Sequence, residues 1–323
     1  MFQSSQEETF LVHIPTSKRR KVIPQPHSQM SGRLESLLDA ADSHCHLDRC
    51  FAAPGAIGDT LSAIENSVTQ PGSEYGPIRF FNLRAVISNF CDPKRWHLFE
   101  NIINEDNRIY GTIGYHPKYL KNSFVMSSER MRMMQCLDNK YCLGFGEIGL
   151  DYYHGPDNQS IRLQISNLYD LLDIYSKSGS NKALVLHFRG DADSGVYHKG
   201  LEIIKECGVQ NKRIHVHCFS GSRNDVMEWC RACPSAVFGF TGIITKTTQY
   251  DSIIEYIPSN RIVAETDSPM LSPYNCKSPN HPFNVVQVLD KIAHIKKMKR
   301  SELYSKVLRN TNETYRIWRE PRE

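Results

Sequence analysis

Eight short runs of β-branched, aromatic and small apolar residues, nearly free of charge, recur along the chain at intervals of about thirty residues. They centre near Ser43, Ile87, Thr112, Leu143, Val185, His215, Phe238 and Val263. Longer amphipathic stretches fill the gaps. Runs buried on both faces and alternating with helices are the signature of repeated βα units and a parallel sheet. Between the fourth and fifth runs, Ile161, Ile165, Leu168, Leu172 and Tyr175 recur at steps of 4, 3, 4 and 3, the apolar face of one helix about five turns long. The pattern predicts further helices over residues 54–66, 93–104, 127–139, 197–207, 223–233 and 283–296. No phosphate-binding glycine loop follows any strand, which disfavours an open doubly wound sheet. The fold class is therefore α/β, a (β/α)8 TIM barrel.

Such a barrel takes about 250 residues, so a chain of 323 holds one domain with an appendage. Residues 39–318 are expected to form the barrel, and residues 319–323 a short tail. Residues 1–38 carry three prolines, a Lys18-Arg19-Arg20-Lys21 run and no sustained periodicity, and read as a flexible basic extension. The basic run reads as a solvated tail, with nuclear import or contact with nucleic acid as functional alternatives. A net charge of +4 permits a polyanionic substrate without requiring one. The first fourteen residues lack the apolar core and cleavage site of a secretory signal, and the longest uncharged apolar stretch, Ala232 to Thr245, is shorter than a membrane span. The protein is expected in the nucleus or cytoplasm, not secreted and with no membrane partner; no feature bears on oligomeric state. Ten cysteines scattered through strands and helices read as small core residues rather than a disulfide framework, and Cys230 with Cys233 as a coincidental pair at a helix end.

A barrel places function at the carboxyl ends of its strands, and here the ends carry histidines and carboxylates. The first run ends Asp42-Ser43-His44-Cys45-His46-Leu47-Asp48, with His44 and His46 on one face. The fourth ends Gly146-Glu147-Ile148-Gly149-Leu150-Asp151, the fifth at His187, the sixth at His215-Val216-His217 and the eighth at Glu265-Thr266-Asp267. One buried histidine is more often a hydrogen-bonded core residue than a ligand. Several ionised carboxylates converging with four histidines need a compensating charge, because an unpaired buried ion costs several kcal/mol. A divalent cation, or two sharing a carboxylate, supplies it, and mixed ligation of this kind suits Zn²⁺, Mn²⁺ or, with more water, Mg²⁺. Spacing alone leaves His215 and His217 as alternatives.

These blocks resemble the TatD-type deoxyribonuclease family of metal-dependent hydrolases, within the amidohydrolase-like superfamily. The resemblance runs in order through DSHCHLD from Asp42, GYHP from Gly114, GFGEIGLDYY from Gly144, LHFR from Leu186, HVHCFSGS from His215, FGFTGIIT from Phe238, ETDSPML from Glu265 and the segment Asn310 to Tyr315. The wording around RIHVHCFSGS is most similar to the TatD DNase domain-containing protein 2 subgroup. The resemblance implies that His44 and His46 hold one metal, Glu147 bridges, His187 and His217 hold a second, and Asp267 contacts a metal near the attacking water. His215 and Glu265 then stand behind the ligands, Glu265 orienting a histidine. It further implies two divalent ions, Mg²⁺ first with Mn²⁺ or Zn²⁺ as alternatives, and hydrolysis of DNA or RNA phosphodiesters by a metal-activated water, in the manner of a 3′ exonuclease. Asp267 is the leading general base, with Glu147 second. His116, Arg189 and Lys246 are assigned to the substrate phosphate, and the Ser268 to Pro282 loop to the same face. The competing reading is hydrolysis of a small ester, lactone or amide, for which many relatives in the superfamily use a carboxylated lysine where Glu147 stands.

Overall fold

Eight strands pair in chain order, every pair parallel, in one sheet: β1 (Leu38–Cys45), β2 (Phe81–Phe90), β3 (Ile109–Ile113), β4 (Cys142–Asp151), β5 (Ala183–Arg189), β6 (Ile214–His217), β7 (Ala236–Phe240) and β8 (Ile262–Ala264). The computed structural model describes residues 37–69, 81–120, 126–191, 193–276 and 279–318. The extension up to residue 36, with its basic run, and the tail 319–323 lie outside the described residues. Each expected run centre falls inside a strand. The sheet curls into a nearly closed barrel. At the β8/β1 seam, side chains and loop backbone make the join: Ser43 Oγ donates to Ala264 O at 2.9 Å, Thr266 donates through N and Oγ1 to the two Asp42 oxygens at 2.9 and 2.6 Å, and Asp267 N donates to His44 O at 2.9 Å. Burial pushes the Asp42 carboxyl well above its ordinary range despite the Thr266 bonds.

Among the described residues ten helices follow the strands, one or two after each: α1 (Leu47–Cys50), α2 (Leu61–Thr69), α3 (Phe99–Ile103), α4 (Ser127–Asp138), α5 (Asn158–Lys177), α6 (Val196–Glu206), α7 (Arg223–Ala232), α8 (Asp251–Tyr256), α9 (Val285–Lys296) and α10 (Arg300–Tyr315). In α5, Leu168, Leu171, Leu172 and Tyr175 are buried, and Asp157 accepts the Ser160 N–H to open the first turn. The expected helix over 54–66 begins only at Leu61. Pro54, Gly55 with φ +72°, and Gly58 break the preceding segment, and Thr60 Oγ1 accepts the Ala63 N–H at 3.1 Å. The expected helix over 93–104 is a 3-10 turn, Pro93–Leu98, followed by α3. The sequence reading did not anticipate α10. Its buried face mixes Leu303, Tyr304 and Val307 with Asn310, Thr311 and Thr314, so apolar periodicity is weak. Asn310 Nδ2 caps the entry to β8 by donating to Ser259 O and Ile262 O. All ten cysteines are free thiols, and among the described residues no helix is long and apolar enough to cross a membrane.

Candidate metal centre at the carboxyl end of the barrel

Glu147 lies at the centre of the site because β4 is irregular there. Gly146 pairs with Val185 and Ile148 with Leu186, so Glu147 is the extra residue of a bulge, a device that re-aims a side chain. Glycine on either side is obligatory. A Cβ at Gly146 would sit 2.2 Å from Val185 O and one at Gly149 1.8 Å from His187 O, both at positive φ. The two Glu147 oxygens face different groups. Oε2 lies 3.5 Å from His44 Nε2 and 3.7 Å from His46 Nε2. Oε1 lies 2.6 Å from His187 Nδ1, 3.6 Å from His116 Nε2 and 3.8 Å from His217 Nε2.

Asp267 approaches the first group from the β8 end, its Oδ1 3.6 Å from His44 Nε2 and 3.3 Å from His46 Nε2. Its φ of +50° is a conformation that a non-glycine residue holds only where its surroundings fix it, and the bond to His44 O does so. β8 ends at Ala264, three residues short of Asp267. His46 likewise lies just past β1, yet reaches the same point as His44. Behind these histidines, Glu265 is fully buried. Its Oε1 lies 3.1 Å from His217 Nδ1 and accepts the Cys218 N–H, and its Oε2 lies 2.9 Å from His215 Nε2. His215 in turn meets Tyr315 of α10 at 2.7 Å. Of the alternatives left by spacing, His217 faces the Glu147 cluster and His215 faces Glu265 and the barrel floor.

The electrostatics follow from this packing. Burial works to raise the Glu147 carboxyl, but the surrounding histidines outweigh it and hold it well below the usual carboxylate range. Asp267 is lowered in the same way, burial being overcome by the neighbouring His46 ring and the His217 charge. Burial, with the His217 charge beside it, pushes His44 down to about 4. His217 is lifted to about 10, because Glu265 and Glu147 more than offset its burial.

A divalent cation fits these residues. His44 Nε2, Glu147 Oε2 and Asp267 Oδ1 are buried with no hydrogen-bond partner among the described residues. Ligand atoms held about 2.1 Å from one tetrahedral ion are about 3.4 Å apart. The separations joining His44 and His46 to Glu147 Oε2 and Asp267 Oδ1 are 3.3 to 3.7 Å. Glu147, His187 and His217 form a second ligand-like group.

The remaining sequence candidates lie around this centre to different degrees. His116 is in the cluster. Arg189 stands at the rim, its guanidinium stacked 3.9 Å over the Tyr153 ring and 4.0 Å from Asp151. Lys246 is exposed just after the 3-10 turn Gly242–Thr245, and no described contact joins its ammonium to the cluster. Asp151, visible in the sequence as a strand-end carboxylate but given no role, approaches His187 Nε2 at 3.3 Å, and the His187 contact outweighs burial to bring its carboxyl to about 2. Asn89 gave no signal in the sequence, since it is its backbone carbonyl that meets His46 Nδ1, at 2.8 Å.

An eight-stranded parallel barrel that gathers histidines and carboxylates about one central glutamate defines the class, a barrel-type metal-dependent hydrolase. The chain belongs to the TatD-related DNase family, whose model matches residues 41–316. Among curated relatives, the human 3′-5′ RNA nuclease TATDN2 is 26% identical over 310 residues, 90% of this chain and 37% of that protein. This chain thus spans little more than a third of that relative's length. The uncharacterized metal-dependent hydrolase YabD of Bacillus subtilis is 27% identical over 236 residues, 72% of this chain and 88% of that one. Of solved structures, the TatD homologue YJJV of Escherichia coli aligns with a TM-score of 0.68 at 19% identity, covering 86% of this chain and 98% of that one. A TatD-family hydrolase from Entamoeba histolytica gives 0.67 at 20% identity, covering 87% and 99%. These two structures share the fold.

Proposed function

We propose that this protein is a two-metal nuclease that hydrolyses phosphodiester bonds of DNA or RNA from the 3′ end. The observation that carries the reading is the division of Glu147, one oxygen toward His44 and His46 and the other toward His187 and His217. A carboxylate so placed is built to be shared between two cations. In this reading His44, His46, Glu147 and Asp267 hold one divalent ion and Glu147, His187 and His217 the other, with Mg²⁺ the first candidate and Mn²⁺ or Zn²⁺ the alternatives. Two such ions, when bound, supply an activated water and charge neutralisation at both the attacking and leaving oxygens of an in-line displacement. Asp267 is ionised at neutral pH, its carboxyl lying below the ordinary range, and stands ready to take the proton of the attacking water. Glu265 fixes the His217 ring from behind. Arg189, oriented by Tyr153 and Asp151, clamps a phosphate oxygen at the rim, and Lys246 contributes at longer range.

Support for nucleic acid as substrate comes from the family, and support for RNA beside DNA from the human relative, itself named a 3′-5′ RNA nuclease. The proposed site of action is the nucleus or cytoplasm, where such substrates are found. The test is cleavage of matched end-labelled DNA and RNA strands by metal-stripped protein resupplied with Mg²⁺, Mn²⁺ or Zn²⁺. Stepwise shortening from the 3′ end is expected. Turnover of a small lactone or ester with no polymer cleaved would overturn the proposal.

A further inference from the structure

Five histidines face the cluster, and what touches one ring nitrogen of each decides what the other can do. A backbone carbonyl can only accept. Asn89 O, 2.8 Å from His46 Nδ1, therefore sets the proton on Nδ1 and leaves the Nε2 lone pair facing inward. The Asp151 carboxylate, 3.3 Å away, holds a proton on His187 Nε2, and the Glu265 carboxylate stands 3.1 Å from His217 Nδ1. His217 Nε2 and His187 Nδ1 face Glu147 at 3.8 and 2.6 Å, and a cation bound there would take the place of the protons they carry. His44 Nε2 has no hydrogen-bond partner and faces Glu147 and Asp267. All four rings thus turn a nitrogen toward Glu147 or Asp267.

His116 is wired in the opposite sense. The backbone N–H of Lys118 donates to His116 Nδ1 at 3.0 Å. An amide N–H can only donate, so Nδ1 carries the lone pair, the ring is uncharged and the proton sits on Nε2. Nε2 is the nitrogen aimed into the cluster, 3.6 Å from Glu147 Oε1. The arrangement is fixed locally. His116 caps the 3-10 turn Pro117–Tyr119, and Pro117 sets the turn that brings the Lys118 N–H beneath the ring.

We propose that His116 is a neutral hydrogen-bond donor, giving its Nε2–H to a non-bridging oxygen of the substrate phosphoryl group, and is neither a metal ligand nor a proton acceptor. The choice of a phosphoryl oxygen rests on the phosphodiester reading above. His116, Asp151 and His187 lie close enough together to pass for a third ligand group. The hydrogen bonds exclude that use, because both ring nitrogens aimed into the group, His116 Nε2 and His187 Nε2, carry protons rather than lone pairs.

Two substitutions separate the roles while keeping the turn or the donor. His116→Asn places an amide oxygen where Nδ1 stands, so it retains the Lys118 cap but loses the inward arm. His116→Gln extends an amide N–H toward the position of Nε2. The experiment counts Mn²⁺ per full-length chain after dialysis, measures orthophosphate binding to the Mn²⁺-loaded proteins by calorimetry, and checks folding by circular dichroism. Both variants are expected to hold as much Mn²⁺ as the wild type. Phosphate affinity is expected to fall about 10- to 100-fold in His116→Asn, the usual weight of a hydrogen bond to a charged group, and to stay within about threefold of wild type in His116→Gln. Loss of one Mn²⁺ equivalent in either variant, or equal phosphate binding by the wild type and His116→Asn, overturns the assignment. Neither readout needs a polymer to be cut. A wild type that binds Mn²⁺ and phosphate but cleaves no nucleic acid would overturn the nuclease reading and leave the His116 assignment standing.

Discussion

If the cluster holds two cations that share Glu147, the thermal stability of the protein should report their number. The perturbation is removal of divalent metal with a chelator, followed by stepwise readdition of Mn²⁺ at fixed pH. Binding to the folded state alone adds stability as RT ln(1 + [L]/Kd), which above Kd is about 1.4 kcal/mol per tenfold rise in free metal for each site. The ligand atoms are divided between the Oε2 side of Glu147, with His44, His46 and Asp267, and the Oε1 side, with His187 and His217. In a barrel of this size about 1 kcal/mol corresponds to about 2 °C in Tm. One site therefore gives about 3 °C per decade of free Mn²⁺ and two give about 6 °C. The assay is differential scanning calorimetry across three decades of Mn²⁺ for the wild type and Glu147→Gln. The wild type should follow the steeper slope, and Glu147→Gln, which loses the shared charge, should fall below the single-site slope. A midpoint indifferent to Mn²⁺, or a wild-type slope in Glu147→Gln, would refute the reasoning.

Asp267→Asn should lower the single-turnover rate by about 10² to 10⁴, the span of general-base catalysis, with an unchanged far-ultraviolet circular dichroism spectrum. A fully active variant would remove Asp267 from that role. Glu265→Gln keeps the volume beside His217 and His215 but loses the charge that orients His217, so Mn²⁺ affinity measured by calorimetry should weaken about 10- to 100-fold. In the metal-free protein His217 is lifted to about 10, so it is protonated at neutral pH, and a cation must displace that proton. Mn²⁺ affinity should therefore rise with pH up to about 10, and titrations in buffers of different ionisation enthalpy should show a proton released on binding. The same proton stabilises the metal-free fold below the ordinary imidazole value and ceases to do so as pH rises through about 10. An affinity flat between pH 6 and 9 would contradict this.

The strands, and the histidines and carboxylates that gather at their ends, were legible because both leave local signals. Runs such as Leu184-Val185-Leu186 stop abruptly at His187, and residues two apart such as His44 and His46 share a face whatever the rest of the chain does. Helix boundaries were less legible. Gly55 and Gly58 interrupt a segment that otherwise patterns as a helix, and α10 packs a face carrying Asn310, Thr311 and Thr314 rather than an apolar stripe. Apart from the His116-Pro117 turn, the partners that set ring orientation left no local signal. Asn89 O, the Lys118 N–H and the Tyr315 hydroxyl act through backbone groups or across separations of up to 100 residues. For that reason the sequence named His116 as a site residue but could not say which of its nitrogens faces the cluster. Asp151 was visible as a strand-end carboxylate, but its contact with His187 depends on how β4 and β5 pair.

The most direct test of the account is time-resolved cleavage of a 5′-end-labelled single strand, as RNA and as DNA, by wild-type protein and Glu147→Ala, each stripped of metal and then resupplied with Mg²⁺ or Mn²⁺. The account predicts a ladder shortening from the 3′ end that requires the cation and disappears in Glu147→Ala. Cleavage that persists without metal, or that survives in Glu147→Ala, would contradict it.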